Sequence, residues 1–201
     1  MRIAVLSDIH ANLEALEAVL SDLDTLSADL IVSLGDNIGY GADPEEVVKM
    51  LVERQIVSVL GNHELACIRH KVYRWYTGDV KKALDYTLSK LSDASLGYLE
   101  QMPLNLSMHD AYFVHGFWPD SVRHYLHQIS SSELLGAFKK IEEACCFVGH
   151  THRFRLYFPE QADVGTRSLD AGIHPLEPDL KYMINAGSVG QPRDKDTRAG
   201  Y

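Results

Sequence analysis

The first third of the chain alternates between short apolar runs and stretches with helical periodicity. The runs at residues 3–6, 30–34 and 56–60 have the length and β-branched content of buried strands, and each ends in a polar turn. Asn12 can cap a helix in which leucine and valine recur at helical spacing, and Asp43-Pro44 begins a second such pattern. This alternation of strand and helix predicts an α/β fold.

Residues 65–102 follow a different pattern, because their periodicity is helical and they lack the polar clusters that end the strands. We predict an all-helical insertion here, beside any site formed at the strand ends. Its aromatic residues, which include Trp75 and Tyr76, are expected to make core or lid contacts and are assigned no chemistry.

Strands return in the second half of the chain, at residues 104–107, 111–115, 145–148, 155–158 and 182–185. A helix is predicted across residues 132–143, and residues 160–180 are expected to be rich in loops. The 201 residues fit a single domain, and no repeat or low-complexity tract interrupts them. The order of elements indicates a layered α/β fold in which two sheets could pack together.

The chain is acidic, with 28 Asp and Glu residues against 19 Lys and Arg residues and a formal net charge of −9. Such a chain is a poor general binder of nucleic acid, because duplex affinity depends on basic side chains that neutralise phosphates. An acidic protein that processes anionic phosphates would therefore need metal cations at its site.

The sequence favours a soluble, cytoplasmic protein. Its first apolar run is interrupted by Asp8 and His10, unlike a signal peptide, and no run approaches the ~18 apolar residues of a membrane helix. Cys67, Cys145 and Cys146 match neither a disulfide framework nor a zinc motif, so we expect reduced thiols.

Polar clusters that contain Asp, Asn or His beside glycine follow nearly every predicted core strand. Because ligands of open α/β sheets gather at the carboxyl ends of the strands, these clusters are expected to meet at one site. The glycines allow sharp turns and close approach. The candidate metal ligands in these clusters are Asp8, His10, Asp36, Asn62, His115, His150 and His152.

Mixed carboxylate, amide and imidazole ligands suit borderline divalent metals such as manganese, iron, zinc, cobalt or nickel. Seven ligands are too many for one tetrahedral ion and fit two ions that share a carboxylate, for which Asp36 is the natural bridge. Asp8 and His10 are two residues apart, as are His150 and His152, so each pair points to one side of an extended segment. Any one cluster alone could be a surface turn or a helix cap, and the metal site is predicted from their combination.

Residues outside these clusters receive surface or structural roles. They include five histidines: His70, His109, His124, His127 and His174. Arg153, Arg193 and Arg198 could contact a phosphate, although we expect solvated surface positions for all three.

In chain order the clusters read Asp-x-His, Gly-Asp, Gly-Asn-His-Glu, His and Gly-His-x-His, and in this order the sequence resembles the calcineurin-like metallophosphoesterase superfamily. The strings SDIHAN, GDNIGYGADP, VHG and NAGSVGQPRD resemble its small bacterial and archaeal phosphodiesterase-like branch. The resemblance extends from residue 1 to about residue 193. It implies a four-layer α-β-β-α sandwich with a dimetal site at the strand ends, and a helical insertion at which relatives vary.

The resemblance also implies a role for each residue of the site. One ion would take Asp8, His10, Asp36 and His152, and the other would take Asp36, Asn62, His115 and His150. Manganese is the first expectation for the two ions, with iron, nickel, zinc and cobalt as alternatives. His63 would bind no metal and would assist the leaving group, while a hydroxide that bridges the ions attacks phosphorus.

The activity implied in this way is hydrolysis of a phosphodiester in a small phosphorylated substrate. The same metal core could serve a phosphomonoesterase, including a protein phosphatase or a dinucleoside polyphosphate hydrolase, and the sequence leaves these alternatives open. A scaffold of the same fold that has lost catalysis would be expected to lack the histidine at position 63, which is present here.

Overall fold

The computed structural model describes all 201 residues, and its first sheet contains three parallel strands. Strand β1 (Ile3–Leu6) pairs with β2 (Leu30–Ser33), which pairs with β3 (Val57–Ser58). Helix α1 (Leu13–Leu26) connects β1 to β2, and α2 (Pro44–Glu53) connects β2 to β3. Because the three strands run in one direction, the polar turns that follow them lie at one edge of the sheet.

Four helices follow β3. They are α3 (Asn62–Ile68), α4 (His70–Tyr73), α5 (Gly78–Lys90) and α6 (Asp93–Glu100). Leu99 of α6 belongs to the core of the first sheet, whereas Val72 and Leu84 form a small separate cluster with Ala66. None of the helices in the chain combines the length and the apolar character needed to cross a membrane.

The second sheet has six strands. They are β4 (Asn105–Met108), β5 (Ala111–Val114), β6 (Cys145–Val148), β7 (Phe154–Glu160), β8 (Asp163–Ser168) and β9 (Tyr182–Ala186). Their order in the sheet is β4-β5-β6-β9-β7-β8, and β5, β6 and β9 run parallel. Helix α7 (Ser131–Phe138), preceded by a turn of 3-10 helix at Leu126–Gln128, connects β5 to β6.

Three apolar clusters hold four layers together. Leu16 of α1 and Leu51 of α2 pack with the core of the first sheet on its outer face. Val32 of the first sheet and Phe113 of the second belong to the cluster between the two sheets. Phe138 of α7 packs on the other face of the second sheet. The order helix, sheet, sheet, helix confirms the predicted α-β-β-α sandwich.

The prediction of loops for residues 160–180 was wrong over Asp163–Ser168, which form β8 and pair with β7 in an antiparallel hairpin. Strand β8 lies at the edge of the second sheet and most of its side chains are exposed. It therefore lacks the apolar alternation by which a half-buried strand is predicted, and its pairing with β7 determines its conformation.

Glu64 connects the loops that follow β2 and β3. Its carboxylate is fully buried, and one oxygen accepts hydrogen bonds from the backbone N–H groups of Asp36 and Gly61, each at 2.9 Å. The other oxygen accepts from the backbone N–H groups of Asn37 at 2.6 Å and Ile38 at 3.3 Å. Glu64 thus fixes the loop that carries Asp36 against the turn at the start of α3.

Two glycines allow these loops to approach so closely. A Cβ atom on Gly35, which has a φ of +91°, would lie 2.3 Å from the backbone nitrogen of Gly61. A Cβ atom on Gly61 would lie 2.2 Å from Oδ1 of Asp36.

The buried position of Glu64 also changes its titration. Burial is the main cause and the neighbouring charge of Asp36 the second, and together they raise the pKa of Glu64 to about 7.

Glu64→Ala is expected to destabilise the metal-free protein by about 2–3 kcal/mol. Loss of the whole carboxyl group would leave four backbone N–H donors buried without an acceptor, in either protonation state of the wild-type side chain. Urea unfolding of chelator-treated protein measures the free energy of unfolding. Glu53→Ala, at an exposed position of α2, is the matched control and should change it by less than about 0.5 kcal/mol. Equal stability of the two variants would contradict this role of Glu64.

Candidate metal centre

All seven predicted ligands lie just after strands, where the two sheets meet at their carboxyl edges. Every one of them is buried, with an exposed fraction between 0% and 6%. In the first sheet, Asp8 and His10 follow β1, Asp36 follows β2 and Asn62 follows β3. In the second sheet, His115 follows β5, and His150 and His152 follow β6. The structure brings together the full set that the sequence pattern predicts.

The first group of side chains consists of Asp8, His10 and His152. Oδ1 of Asp8 lies 3.1 Å from Nε2 of His152 and 3.6 Å from Nε2 of His10. The two imidazole nitrogens are 3.3 Å apart. Two atoms that each lie about 2.0–2.2 Å from one ion are separated by roughly 3–3.6 Å, so these distances fit ligands of a common cation.

The second group consists of Asp36, Asn62, His115 and His150. Nε2 of His115 lies 3.3 Å from Oδ2 of Asp36, 3.1 Å from Nδ1 of His150 and 3.1 Å from Oδ1 of Asn62. Oδ2 of Asp36 also lies 3.9 Å from Nε2 of His10 in the first group. Asp36 is therefore the side chain that approaches both groups, as a shared ligand must.

Each of the four histidines uses its outer ring nitrogen to contact a backbone carbonyl. Nδ1 of His10 lies 3.2 Å from the oxygen of Ile38, and Nδ1 of His115 lies 2.9 Å from the oxygen of Leu34. Nδ1 of His152 lies 2.5 Å from the oxygen of Gln191. His150 uses its other nitrogen, Nε2, which lies 3.2 Å from the oxygen of Arg123. A carbonyl can only accept, so the outer nitrogen carries a proton, and in the neutral imidazole the inner nitrogen then presents a lone pair to the centre. This arrangement fixes the tautomer that a metal ligand requires.

The side-chain amide of Asn62 directs its oxygen toward buried acceptors in the centre. Its Oδ1 faces only groups that accept hydrogen bonds, at 2.9 Å from Nδ1 of His150 and 3.1 Å from Oδ2 of Asp36. Its Nδ2 lies 3.0 Å from the hydroxyl of Tyr76. Rotation of the amide would satisfy these acceptors with its NH2 group, and a bound cation would satisfy them in the orientation observed. Oδ1 of Asp8 is likewise buried without a hydrogen bond, so the residues present fit bound cations.

The protonation of these groups also favours cation binding. Burial lowers the pKa of His10 and of His150 to about 3, so both imidazoles are neutral at pH 7. Burial acts in the same direction on His115, but the Asp36 carboxylate outweighs it and raises the pKa of His115 to about 9. Burial disfavours the charged form of Asp8, yet the contact with His152 holds its pKa well below the usual range. A metal ion would replace the proton on His115.

The backbone is strained at five of the seven predicted ligands. Their φ angles lie in the left-handed region, which costs a residue other than glycine about 1–2 kcal/mol. The angles are 52° at Asp8, 50° at His10, 51° at Asp36, 65° at His150 and 57° at His152. Each of these strained turns directs a side chain into the centre, and the packing of the surrounding strands offsets the cost of the strain.

His63 lies beside both groups. Its Nε2 is 3.9 Å from Oδ2 of Asp36, and its Nδ1 is buried without a hydrogen-bond partner. A Cβ atom on Gly39 would lie 2.2 Å from this Nδ1, so Gly39 makes room for the ring. The ring also packs against Tyr40, with centroids 4.7 Å apart. Burial lowers the pKa of His63.

A cavity with an empty volume of about 630 Å³, including its open mouth, leads to the centre. Five of the predicted ligands and His63 form its floor, and the remaining walls come from tyrosines, arginines and one valine. These wall residues are Tyr40, Tyr76, Tyr125, Arg123, Arg193 and Val80. None of the five histidines outside the sequence clusters lines this cavity.

Sequence reasoning did not identify most of these wall residues. Tyr76 lies in the helical segment to which no chemistry is assigned from sequence, although its hydroxyl contacts Asn62. The ring of Tyr125 stacks on that of His150, with centroids 3.9 Å apart. Arg193, expected to be only a solvated surface residue, is exposed but also lines the cavity. For Tyr125 and Arg123 the only available signal was their position shortly after the His115-Gly116 pair.

Comparison with known proteins gives similar chains from bacteria and archaea. An uncharacterized protein of Methanocaldococcus jannaschii is 33% identical over 210 residues, which cover 99% of this chain and 80% of that protein. The crystal structure of a metallophosphoesterase from Sphaerobacter thermophilus is 37% identical with a TM-score of 0.82, over 99% of this chain and 81% of that one. A hypothetical protein from Pyrococcus horikoshii shares the fold at 20% identity, with a TM-score of 0.67 and coverage of 94% and 77%.

The match to a family extends over the whole chain. Residues 1–201 match the profile described as the Calcineurin-like phosphoesterase superfamily domain. The buried aspartates and histidines form groups that suit a dinuclear metal site, which is the kind of centre that a metallophosphoesterase requires. This protein belongs to the calcineurin-like phosphoesterase superfamily.

Proposed function

We propose that this protein is a phosphodiesterase that uses two divalent cations, with manganese as the first candidate. The observation that carries the proposal is the set of seven buried acceptors that face one another while the outer histidine nitrogens contact carbonyls. Divalent cations would satisfy all of these groups together, and carboxylate, amide and imidazole ligands suit borderline divalent metals.

The two ions would share Asp36. The first would be held by Asp8, His10, Asp36 and His152, and the second by Asp36, Asn62, His115 and His150. When bound, two such ions lower the pKa of water, so that hydroxide is available near neutral pH, and orient the phosphoryl group for in-line displacement.

The protein itself would supply orientation and a proton donor. His63 lies at the floor of the cavity, close to both groups, and would protonate or hydrogen-bond the leaving oxygen. Gly39 and Tyr40 hold its ring in place. The hydroxyl of Tyr76 would hydrogen-bond the amide of Asn62 on the side away from the second ion and so limit the movement of this side chain.

The shape of the cavity supports a diester over a monoester. An aromatic side chain of the cavity wall packs against each group of ligands. Tyr40 contacts His10 of the first group, and Tyr125 contacts His150 of the second. A diester carries a substituent on each side of the phosphate, and both substituents could find contacts here. The resemblance of the flanking sequence to a phosphodiesterase-like branch supports the same choice.

The test compares a diester with a monoester. Chelator-treated protein is reloaded with manganese, iron, nickel, zinc or cobalt and assayed with bis(p-nitrophenyl) phosphate and with p-nitrophenyl phosphate. We expect metal-dependent hydrolysis with a higher kcat/KM for the diester. A higher kcat/KM for the monoester would favour a phosphomonoesterase, and no hydrolysis with any metal would favour a non-catalytic scaffold.

Asp36→Asn is expected to reduce the bound metal from two ions per chain to one or fewer. The substitution keeps the shape of the side chain but removes the charge that both ions would share. Elemental analysis after equilibration with manganese and gel filtration gives the stoichiometry. Asp179→Asn, at an exposed position, should retain two ions. Two tightly bound ions in the Asp36 variant would rule out its role as the shared ligand.

His63→Ala is expected to retain both ions and to lower kcat by roughly 10²–10⁴-fold, the usual contribution of a general acid. Metal content and rate are measured on the same sample, so that loss of metal is not mistaken for loss of proton transfer. His70→Ala, at an exposed position on α4, is the control and should keep both metal and rate. A variant of His63 that is loaded with metal and fully active would show that this histidine has no part in catalysis.

A further inference from the structure

Two arginines extend into the cavity from different parts of the chain. Arg123 lies in the segment between β5 and α7, and Arg193 lies after β9. Asp36 is the only acidic residue among the cavity residues, and no lysine is present. The chain as a whole carries a net charge of −9, so this concentration of positive charge at its cavity contrasts with the rest of the protein.

Arg123 is held beside the second group of ligands. Its backbone oxygen accepts the hydrogen bond from Nε2 of His150 at 3.2 Å. Its guanidinium group lies over the ring of Trp75, 4.2 Å from the centroid, in a cation–π contact. Trp75 belongs to the helical segment, so that segment helps to orient a charged side chain at the mouth of the cavity.

Arg193 is held beside the first group. Its backbone N–H donates to the oxygen of His152 at 3.2 Å, and its guanidinium group donates to Oε1 of Gln191 at 2.8 Å. Arg54 and Arg198 form ion pairs with aspartates, whereas the two arginines that line the cavity have no carboxylate partner. Both guanidinium groups are therefore available to bind an anion.

The geometry points to Arg123 and Arg193 as specificity residues that bind a second anionic group of the substrate, apart from the phosphate that is cleaved. This inference rests on the proposed phosphodiesterase activity. A simple diester carries one negative charge, which the bound cations would already balance. Two arginines without carboxylate partners, one beside each group of ligands, favour a substrate with a further phosphate or carboxylate.

The test uses two substrates that differ only in a second phosphate. They are the p-nitrophenyl ester of thymidine 5′-phosphate and the same compound with a 3′-phosphate. With the manganese-loaded protein, kcat/KM is expected to be at least about 10-fold higher for the 3′-phosphorylated substrate, since one charge-assisted contact contributes about that factor. A ratio below about 2 for the wild-type protein would overturn the inference.

Substitution of the two arginines tests whether they are responsible for the preference for the 3′-phosphorylated substrate. Arg123→Met and Arg193→Met should each lower the ratio of kcat/KM values, and the double variant should reduce it to about 1. Arg167→Met, at an exposed position of β8, is the matched control and should leave the ratio unchanged. An unchanged ratio in the double variant, or an equal loss of activity on both substrates, would show that the arginines do not recognise a second anion.

Binding separates this inference from the proposed activity. Calorimetry on the manganese-loaded protein compares thymidine 3′,5′-bisphosphate with thymidine 5′-monophosphate. The Kd of the bisphosphate is expected to be at least about 10-fold lower, and the double variant should remove the difference. If neither ester is hydrolysed but this difference is found, the proposed activity fails and the arginine assignment stands. Equal Kd values in the wild-type protein would overturn the assignment even if both esters are hydrolysed.

Discussion

The central constraint on this structure is the convergence of buried polar side chains at the carboxyl edges of two sheets. Two carboxylates, one amide oxygen and four imidazole nitrogens lie together with almost no exposure to solvent. Acceptors in a medium of low polarity cannot stabilise one another, and leaving them unpaired costs several kcal/mol per group. Divalent cations bound here would remove this cost, so metal binding would also stabilise the folded centre.

The rest of the sandwich keeps these acceptors in place. Backbone carbonyls contact the outer nitrogen of each histidine and so fix the ring orientation that turns the inner nitrogen toward the centre. Glu64 ties together the loops that carry Asp36 and Asn62. The left-handed backbone at five ligands is tolerated because the packed strands on both sides fix the turns. The centre is therefore organised by the fold before any substrate arrives.

The layered fold and the grouping of the seven candidate side chains could be predicted from sequence because each of them follows an apolar strand. A buried strand has a local signature, and a polar residue directly after it can be placed without knowledge of the rest of the chain. The cavity walls have no such signature. Arg123 is oriented by Trp75, almost fifty residues earlier in the sequence, and that contact exists only after the helical segment has packed. Strand β8 was missed for a similar reason, since its pairing with β7 and not its own composition determines its conformation.

Anomalous X-ray diffraction from crystals of manganese-loaded protein tests the central claim most directly. Two peaks are predicted within the centre, one among Asp8, His10 and His152 and one among Asn62, His115 and His150, with Asp36 in contact with both. A centre without anomalous density in a crystal that contains manganese would contradict the account, as would a single ion or ions bound only at the protein surface.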